Sequence, residues 1–137
     1  LAASPVGRVL ANDAAGVYGS YSGPAAGQSV EVANLQEVTT GPAELWATVE
    51  GTAAKAYAVR IERMTMTGTD PNRNLLIRVT DQTLLEKTGG IVQGMSGSPI
   101  VQNGRLAAVL THVLVNDPAK GYAIFAATML EKADAAA

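Results

Sequence analysis

The sequence predicts a mainly β domain, and three observations carry this prediction. Glycine and proline punctuate the chain often, with 14 glycines and 6 prolines among 137 residues. The segments between them are short and rich in valine, isoleucine, leucine and threonine, and several alternate between apolar and polar residues. The dipeptide Asn103-Gly104, set between two apolar segments, is a strong signal for a tight hairpin turn. Together these features are typical of a β-barrel or β-sandwich.

The strands can be predicted in order along the chain. Residues 1–28 are the least regular stretch and predict an extended arm with one short strand near 17–21. In the segment 43–50, alternation puts Leu45 on one side and Trp46 on the other, as expected for a half-buried strand. The remaining predicted strands are 29–33, 57–66, 74–80, 100–102, 105–115 and 121–125.

Two short helices complete the predicted elements. Asp81 can cap a helical turn over 82–87, because its carboxylate can accept hydrogen bonds from the first free amides of a helix. Residues 126–136 predict a short C-terminal helix that docks Met129 and Leu130 on the domain.

Composition excludes several classes of function. Ten basic and twelve acidic residues give a net charge of −2, and this weak charge argues against a nucleic-acid groove. With no cysteine and one histidine, the chain has no disulfide scaffold, no thiolate metal site and no site that needs two imidazoles. No apolar run is long enough to span a membrane, so we expect no transmembrane segment in this chain. No cofactor-binding motif is present, so we expect no cofactor. Because residue 1 is leucine, we expect a processed product or an excerpt.

The segment from Gly94 to Pro99 is the most informative for function. Ser96 lies in the pattern Gly-x-Ser-Gly-x-Pro, whose small residues let the backbone fold tightly and let a substrate carbonyl approach the hydroxyl. Such a turn can direct the amides of Gly94 and Ser96 at one point, as an oxyanion hole. Ser98 is the weaker candidate, because Pro99 restricts it to extended backbone. The sequence predicts Ser96 as a nucleophile; the alternative is a glycine-rich loop with two incidental serines.

A longer segment around this loop carries a family resemblance. From Thr88 to Gly104 the sequence reads TGGIVQGMSGSPIVQNG, which closely resembles the signature of the stage IV sporulation protein B peptidases. These are serine peptidases of the chymotrypsin-like superfamily from spore-forming bacteria, and the resemblance covers most of the chain. It implies a chymotrypsin-like six-stranded barrel over residues 29–137. Residues 1–28 would then be an extended arm, the remnant of a first barrel.

The resemblance also implies site residues and partners. The nucleophile of the family matches Ser96, and its acidic triad member, in a Thr-Asp pair before the glycines, matches Asp81. The alternative for Asp81 is the helix cap described above. The catalytic histidine of the family lies upstream of everything in this chain, so we expect this chain alone to be inactive. The partners implied are the upstream half of the peptidase domain and a peptide or protein substrate, with self-cleavage and cleavage of a membrane-bound regulator. The implied location is secreted or membrane-associated, in the space around the forespore.

The single histidine has three open interpretations. His112 lies in the segment 105–115, which is apolar on both faces and predicts a strand covered on both sides, and it shares its parity with Leu110 and Leu114. It could be a core histidine, a wall of the substrate-binding pocket, or the catalytic base. In chymotrypsin-like folds the strand after the nucleophile hairpin forms one wall of the specificity pocket, so the resemblance implies a substrate-binding role.

The sequence is therefore compatible with two functions. The first is a portion of a serine endopeptidase that hydrolyses peptide bonds through an acyl-enzyme on Ser96, completed by a histidine from outside the chain. The second is a non-catalytic module of the same fold that binds a peptide or a partner without cleaving it.

Overall fold

The computed structural model describes residues 5–23, 27–66 and 70–136. Within these ranges, eight strands form a two-stranded sheet and a closed six-stranded barrel, accompanied by two α-helices. The elements are β1 (Gly7–Asp13), β2 (Gly16–Tyr21), β3 (Gly41–Ala47), β4 (Lys55–Met64), β5 (Leu75–Val79), α1 (Gln82–Thr88), β6 (Pro99–Gln102), β7 (Arg105–Leu114), β8 (Asp117–Phe125) and α2 (Ala126–Ala136).

The barrel closes in the order β3-β4-β5-β8-β7-β6, and all neighbouring strands are antiparallel. This confirms the predicted six-stranded barrel. The alternation predicted for β3 is also confirmed, because Leu45 is fully buried while Trp46 beside it is 40% exposed. Burying one large aliphatic side chain contributes roughly 1.5–3 kcal/mol, so the barrel interior is the main source of stability. Its largest fully buried side chains are Leu45, Ile61, Leu75, Ile77, Leu84, Ile100 and Leu110.

The β6–β7 hairpin turns at the predicted dipeptide. Asn103 and Gly104 both have positive φ, at 53° and 76°, as the two central residues of a type I′ turn require. This hairpin matters for function because β6 follows the glycine-rich loop directly and β7 supports it.

The N-terminal residues differ from the prediction. The predicted strand near 17–21 is found as β2, but β1 was not predicted; the two strands form a hairpin that turns at residues 14–15, and Gly16, which begins β2, has a φ of +131°. The predicted strand 29–33 is reduced to an isolated bridge between Val32 and Leu106, because few of its backbone groups find partners on β7. The residue pattern of a five-residue segment does not indicate whether another strand is available to pair with it.

Helix α2 confirms one predicted contact and corrects the other. Met129 packs with Ala133 against a small cluster that includes Tyr18 and Ile124, between α2, the β1–β2 hairpin and the barrel. Leu130 is 48% exposed, so its predicted docking is wrong. The helix packs through Met129, Ala133 and Ala136, which are spaced four and three residues apart, and Leu130 lies off that stripe.

Candidate active site

The glycine-rich loop is anchored at both ends. Upstream, α1 begins at its N-cap Asp81, as predicted, and ends at Gly89, whose φ is +75°. The amide of Ile91 then donates to the carbonyl of Pro118 at 2.7 Å. A Cβ at Gly90 would lie 2.3 Å from that same carbonyl oxygen, so only glycine permits this approach to β8. Downstream, the loop runs straight into β6.

The loop backbone uses some of its amides and leaves others free. Met95 donates to Val92 at 3.2 Å, Gly97 to Leu110 at 2.8 Å, and Ser98 to Met95 at 3.0 Å. The amides of Gly94 and Ser96, by contrast, donate to no group in the described part of the chain. The Met95 side chain is buried and fixes the loop from below. These two uncommitted amides are the pair that the sequence predicts for an oxyanion hole.

Ser96 lies exposed at the tip of this loop. Its Oγ donates a hydrogen bond to the carbonyl oxygen of Thr111 on β7, at 2.9 Å. Ser98, the second hydroxyl of the loop, is half-buried, and its carbonyl accepts from the amide of Leu110 at 3.0 Å. The exposure of Ser96 matches what a nucleophile requires, while Ser98 belongs to the β6–β7 ladder.

A β-bulge in β7 explains the position of the single histidine. Leu110 pairs with Ala123 and His112 pairs with Tyr122, so Thr111 is an extra residue between them. The bulge inverts the alternation beyond Leu110: Val113 packs on the barrel core, and His112 is exposed. The interpretation of His112 as a core residue, which rested on its parity with Leu110, is therefore wrong.

Thr111 connects this bulge to its surroundings. Its Oγ1 lies 2.6 Å from the carbonyl oxygen of Asn72 and 3.1 Å from that of Tyr122, and His112 Nδ1 lies 3.0 Å from it. Sequence reasoning did not single out Thr111. Nothing in the residue pattern marks a bulge here, since 105–115 reads as an uninterrupted apolar strand.

Asp81 makes the contacts of a helix cap. Its Oδ1 accepts from the amide of Leu84 at 3.1 Å, and its Oδ2 accepts from the amide of Ala58 on β4 at 3.2 Å. Among the described residues, no hydrogen bond or ion pair joins Asp81 to Ser96 or His112. The prediction that Asp81 acts in a triad therefore stays a prediction.

A crevice of about 370 Å³ opens in front of Ser96. One wall is the loop from Gly94 to Pro99, and the other is formed by Trp46 and the β3–β4 connection, including Thr48 and Ala54. A second hollow of about 610 Å³ shares Trp46, Ala54 and Pro99 with the first. Neither Asp81 nor His112 lines either hollow. The signal for Trp46 was present in the sequence, as a large aromatic on the outer face of β3.

An ion pair ties the far wall of the crevice to α1. Lys87 Nζ lies 2.7 Å from Glu50 Oε2, which sits in the β3–β4 connection. The hydrogen bond from Lys87, and then its charge, lower the pKa of Glu50, and the same hydrogen bond raises the pKa of Lys87. Both side chains are largely exposed, so the pair adds little to the free energy of unfolding. It links the β3–β4 connection to α1.

The described residues hold no group of three or more histidine, aspartate or glutamate side chains placed to bind a metal ion. In the same residues, neither α-helix has the length and apolar character needed to cross a bilayer.

Comparisons with known proteins agree on a family and a fold. A family model described as SpoIVB peptidase S55 matches residues 2–130. Among solved structures, the chain is similar to the crystal structure of Rv3671c from Mycobacterium tuberculosis H37Rv, a serine-to-alanine mutant in an inactive form, with a TM-score of 0.57. The two sequences are 19% identical, and the match covers 94% of this chain and 65% of that one. The barrel is thus chymotrypsin-like. No curated protein matches the chain.

Proposed function

Because the chain belongs to the SpoIVB peptidase S55 family, we propose that it carries the nucleophile of a serine endopeptidase site and that this nucleophile is Ser96. One observation carries the proposal. Ser96 is exposed on a crevice, in a loop whose amides at Gly94 and Ser96 are uncommitted while those of Met95, Gly97 and Ser98 are engaged. A carbonyl oxygen that becomes negative during attack needs such free donors.

The proposed reaction begins with the release of the Ser96 hydroxyl from the Thr111 carbonyl. The Oγ attacks the scissile carbonyl carbon while a base takes its proton, and the oxyanion is stabilised by the amides of Gly94 and Ser96. The C–N bond breaks as the base returns the proton to the leaving amine. Water then hydrolyses the acyl-enzyme by the same sequence of proton transfers. No cofactor takes part in these steps.

The base is the group that this chain does not place beside Ser96. His112 is the only histidine in 137 residues, and it makes its hydrogen bond to Thr111, not to Ser96. We propose that the base is a histidine from outside these residues, in the upstream half of the peptidase domain, and that this chain alone is inactive. Residues 1–28 would then be the arm that joins the upstream half to the barrel over 29–137.

Two further roles belong to this proposal. Asp81 would orient the incoming histidine, if its carboxylate exchanges a cap hydrogen bond for one to the imidazole. His112 would contact the substrate, since it is exposed and follows the residue that holds the Ser96 hydroxyl. A peptide or protein is the substrate that the family implies, and we propose that the protein acts in sporulation, in the space around the forespore.

Labelling with a fluorophosphonate probe tests the proposal. We expect the longer protein, with its upstream half, to be labelled, Ser96→Ala to abolish labelling, and Ser98→Ala to retain it. The second variant is a matched control, because it removes a hydroxyl from the same loop. Equal labelling of wild type and Ser96→Ala would contradict the proposal.

The contact of Ser96 with a carbonyl instead of a base also favours a second candidate, a module that binds peptides without cleaving them. If the longer protein does not react with the probe but binds peptides in a way that Trp46→Ala weakens, this second function is correct. Labelling of the isolated 137-residue chain at Ser96 would instead show that the base lies within it.

A further inference from the structure

The Thr111 hydroxyl has three polar neighbours but only one proton to donate. Two of its three neighbours are the backbone carbonyl oxygens of Asn72, at 2.6 Å, and Tyr122, at 3.1 Å. The third is His112 Nδ1, at 3.0 Å. A carbonyl oxygen can only accept, so the single hydroxyl proton must be directed towards these carbonyl oxygens.

The short contact with Asn72 decides where this proton lies. Two oxygens at 2.6 Å with no proton between them repel each other, whereas the same distance is ordinary for an O–H···O hydrogen bond. The hydroxyl therefore donates towards Asn72 and has only a lone pair left for His112. Because a lone pair needs a donor, Nδ1 of His112 must carry a hydrogen.

We infer that Thr111 is a positioning residue, which holds the neutral His112 imidazole as its Nδ1–H tautomer and leaves Nε2 as a bare hydrogen-bond acceptor. The residue is exposed, and its Nε2 makes no hydrogen bond within the described residues. The carbonyl of the same Thr111 holds the Ser96 hydroxyl at 2.9 Å. One bulged residue therefore sets both the resting nucleophile and the chemical character of the neighbouring imidazole.

The fixed tautomer specifies a class of substrate, and this part rests on the proposed function. A bare Nε2 pairs with a side chain that donates a hydrogen bond, such as an amide or a hydroxyl, and repels a carboxylate. We infer that a substrate side chain that reaches His112, which lies outside the crevice but next to the residue that holds the Ser96 hydroxyl, is selected for its ability to donate to Nε2. The Thr111 hydroxyl acts on this selection only through the imidazole.

The tautomer can be measured without any activity, because the chain has one histidine and its imidazole signals need no assignment. We would record long-range 1H–15N correlations of the 15N-labelled chain at a pH where the spectrum shows the neutral ring. The expected pattern has a protonated Nδ1 and an unprotonated Nε2. The opposite pattern in the wild-type chain, with hydrogen on Nε2, would overturn the inference without recourse to any variant.

Two substitutions then test the role of the hydroxyl. Thr111→Val keeps the size of the side chain and removes the donor and acceptor, whereas Thr111→Ser keeps them. We expect Thr111→Val to shift the populations towards the Nε2–H form that predominates in free histidine, and Thr111→Ser to retain the wild-type pattern. Identical tautomer populations in Thr111→Val and wild type would contradict the positioning role, provided that the amide spectra show both to be folded.

Substrate selection is tested separately, with the longer protein and peptides that carry glutamine, glutamate or leucine at each position in turn on either side of the scissile bond. We expect glutamine to be preferred over both at one of these positions, and Thr111→Val to lose this preference to the same extent as His112→Leu. A preference unaffected by either variant would refute the substrate class. If no peptide is cleaved at all, the proposed function fails while the spectra still decide the tautomer.

Discussion

The Oγ of Ser96 donates its hydrogen to the carbonyl oxygen of Thr111, at a distance of 2.9 Å. A peptide carbonyl is far too weak a base to take a proton from a serine hydroxyl, so this arrangement holds the hydroxyl without activating it. Activation requires a base that displaces the Thr111 carbonyl as the partner of the hydroxyl. In the peptidase that we propose, this contact is the resting state of the Ser96 hydroxyl.

The first prediction concerns the free amides of the loop. Gly94 and Gly97 have φ of +100° and +94°, and a Cβ would meet no atom within 4 Å at either position. Alanine at either site thus costs only backbone strain, roughly 1–2 kcal/mol. We expect equal losses of unfolding free energy in Gly94→Ala and Gly97→Ala, measured by denaturant titration.

The two variants are expected to differ in reactivity. The Gly97 amide already donates to Leu110, whereas the Gly94 amide is uncommitted. In Gly94→Ala, relief of the backbone strain turns the amide of residue 94 away from the oxyanion position. We therefore expect this variant to slow fluorophosphonate labelling of the longer protein by about 10²-fold or more, as the loss of one oxyanion donor does. A slower reaction in Gly97→Ala than in Gly94→Ala would argue against the assigned pair of donors.

The second prediction separates the two roles of Asp81. Asparagine retains the capping oxygen and loses the charge, whereas alanine loses both. If Asp81 is only the cap, Asp81→Asn leaves labelling unchanged, and Asp81→Ala costs about 1 kcal/mol of stability. If Asp81 also orients the catalytic histidine, Asp81→Asn lowers the labelling rate by up to about 10⁴-fold, although it keeps the capping bond to Leu84. We expect the second result; full labelling of Asp81→Asn would leave the cap as its whole function.

The third prediction concerns the ion pair of Glu50 and Lys87. The pKa of Glu50 is lowered from its ordinary 4.5 by Lys87, so the stabilisation is present above pH 4.5 and is lost as the pH falls through the lowered value. We expect Lys87→Gln to reduce the difference in melting temperature between pH 7 and pH 3. High salt should also reduce this difference in the wild type, because it screens the exposed ion pair.

Lys132→Gln is the matched control, because Lys132 is exposed on α2 and makes no ion pair within the described residues. Both variants change the net charge equally. If they alter the pH dependence by the same amount, the effect belongs to net charge and not to the contact.

Local sequence signals predicted the barrel and the loop well. The Asn103-Gly104 turn, the Asp81 cap and the alternation around Leu45 each depend on neighbours in the chain, and each was found as predicted. The exposure of Ser96 also follows from its near neighbours, since Gly94 and Gly97 let the loop turn sharply.

Features that depend on distant pairing were not predictable. His112 was assigned the parity of Leu110, and the bulge at Thr111 inverted it because β7 holds one residue more than β8 across that point. The β1–β2 hairpin was missed because Gly16 was counted as part of an irregular arm. The contact of Ser96 with Thr111 likewise depends on register across two strands, which residue patterns do not encode.

The most direct test of the central claim is the position of a covalent adduct. The longer protein would be treated with a fluorophosphonate, digested, and analysed by tandem mass spectrometry over the peptide that contains both Ser96 and Ser98. We predict the adduct on Ser96 alone. An adduct on Ser98, or on any residue outside this loop with Ser96 unmodified, would contradict the assignment of the nucleophile.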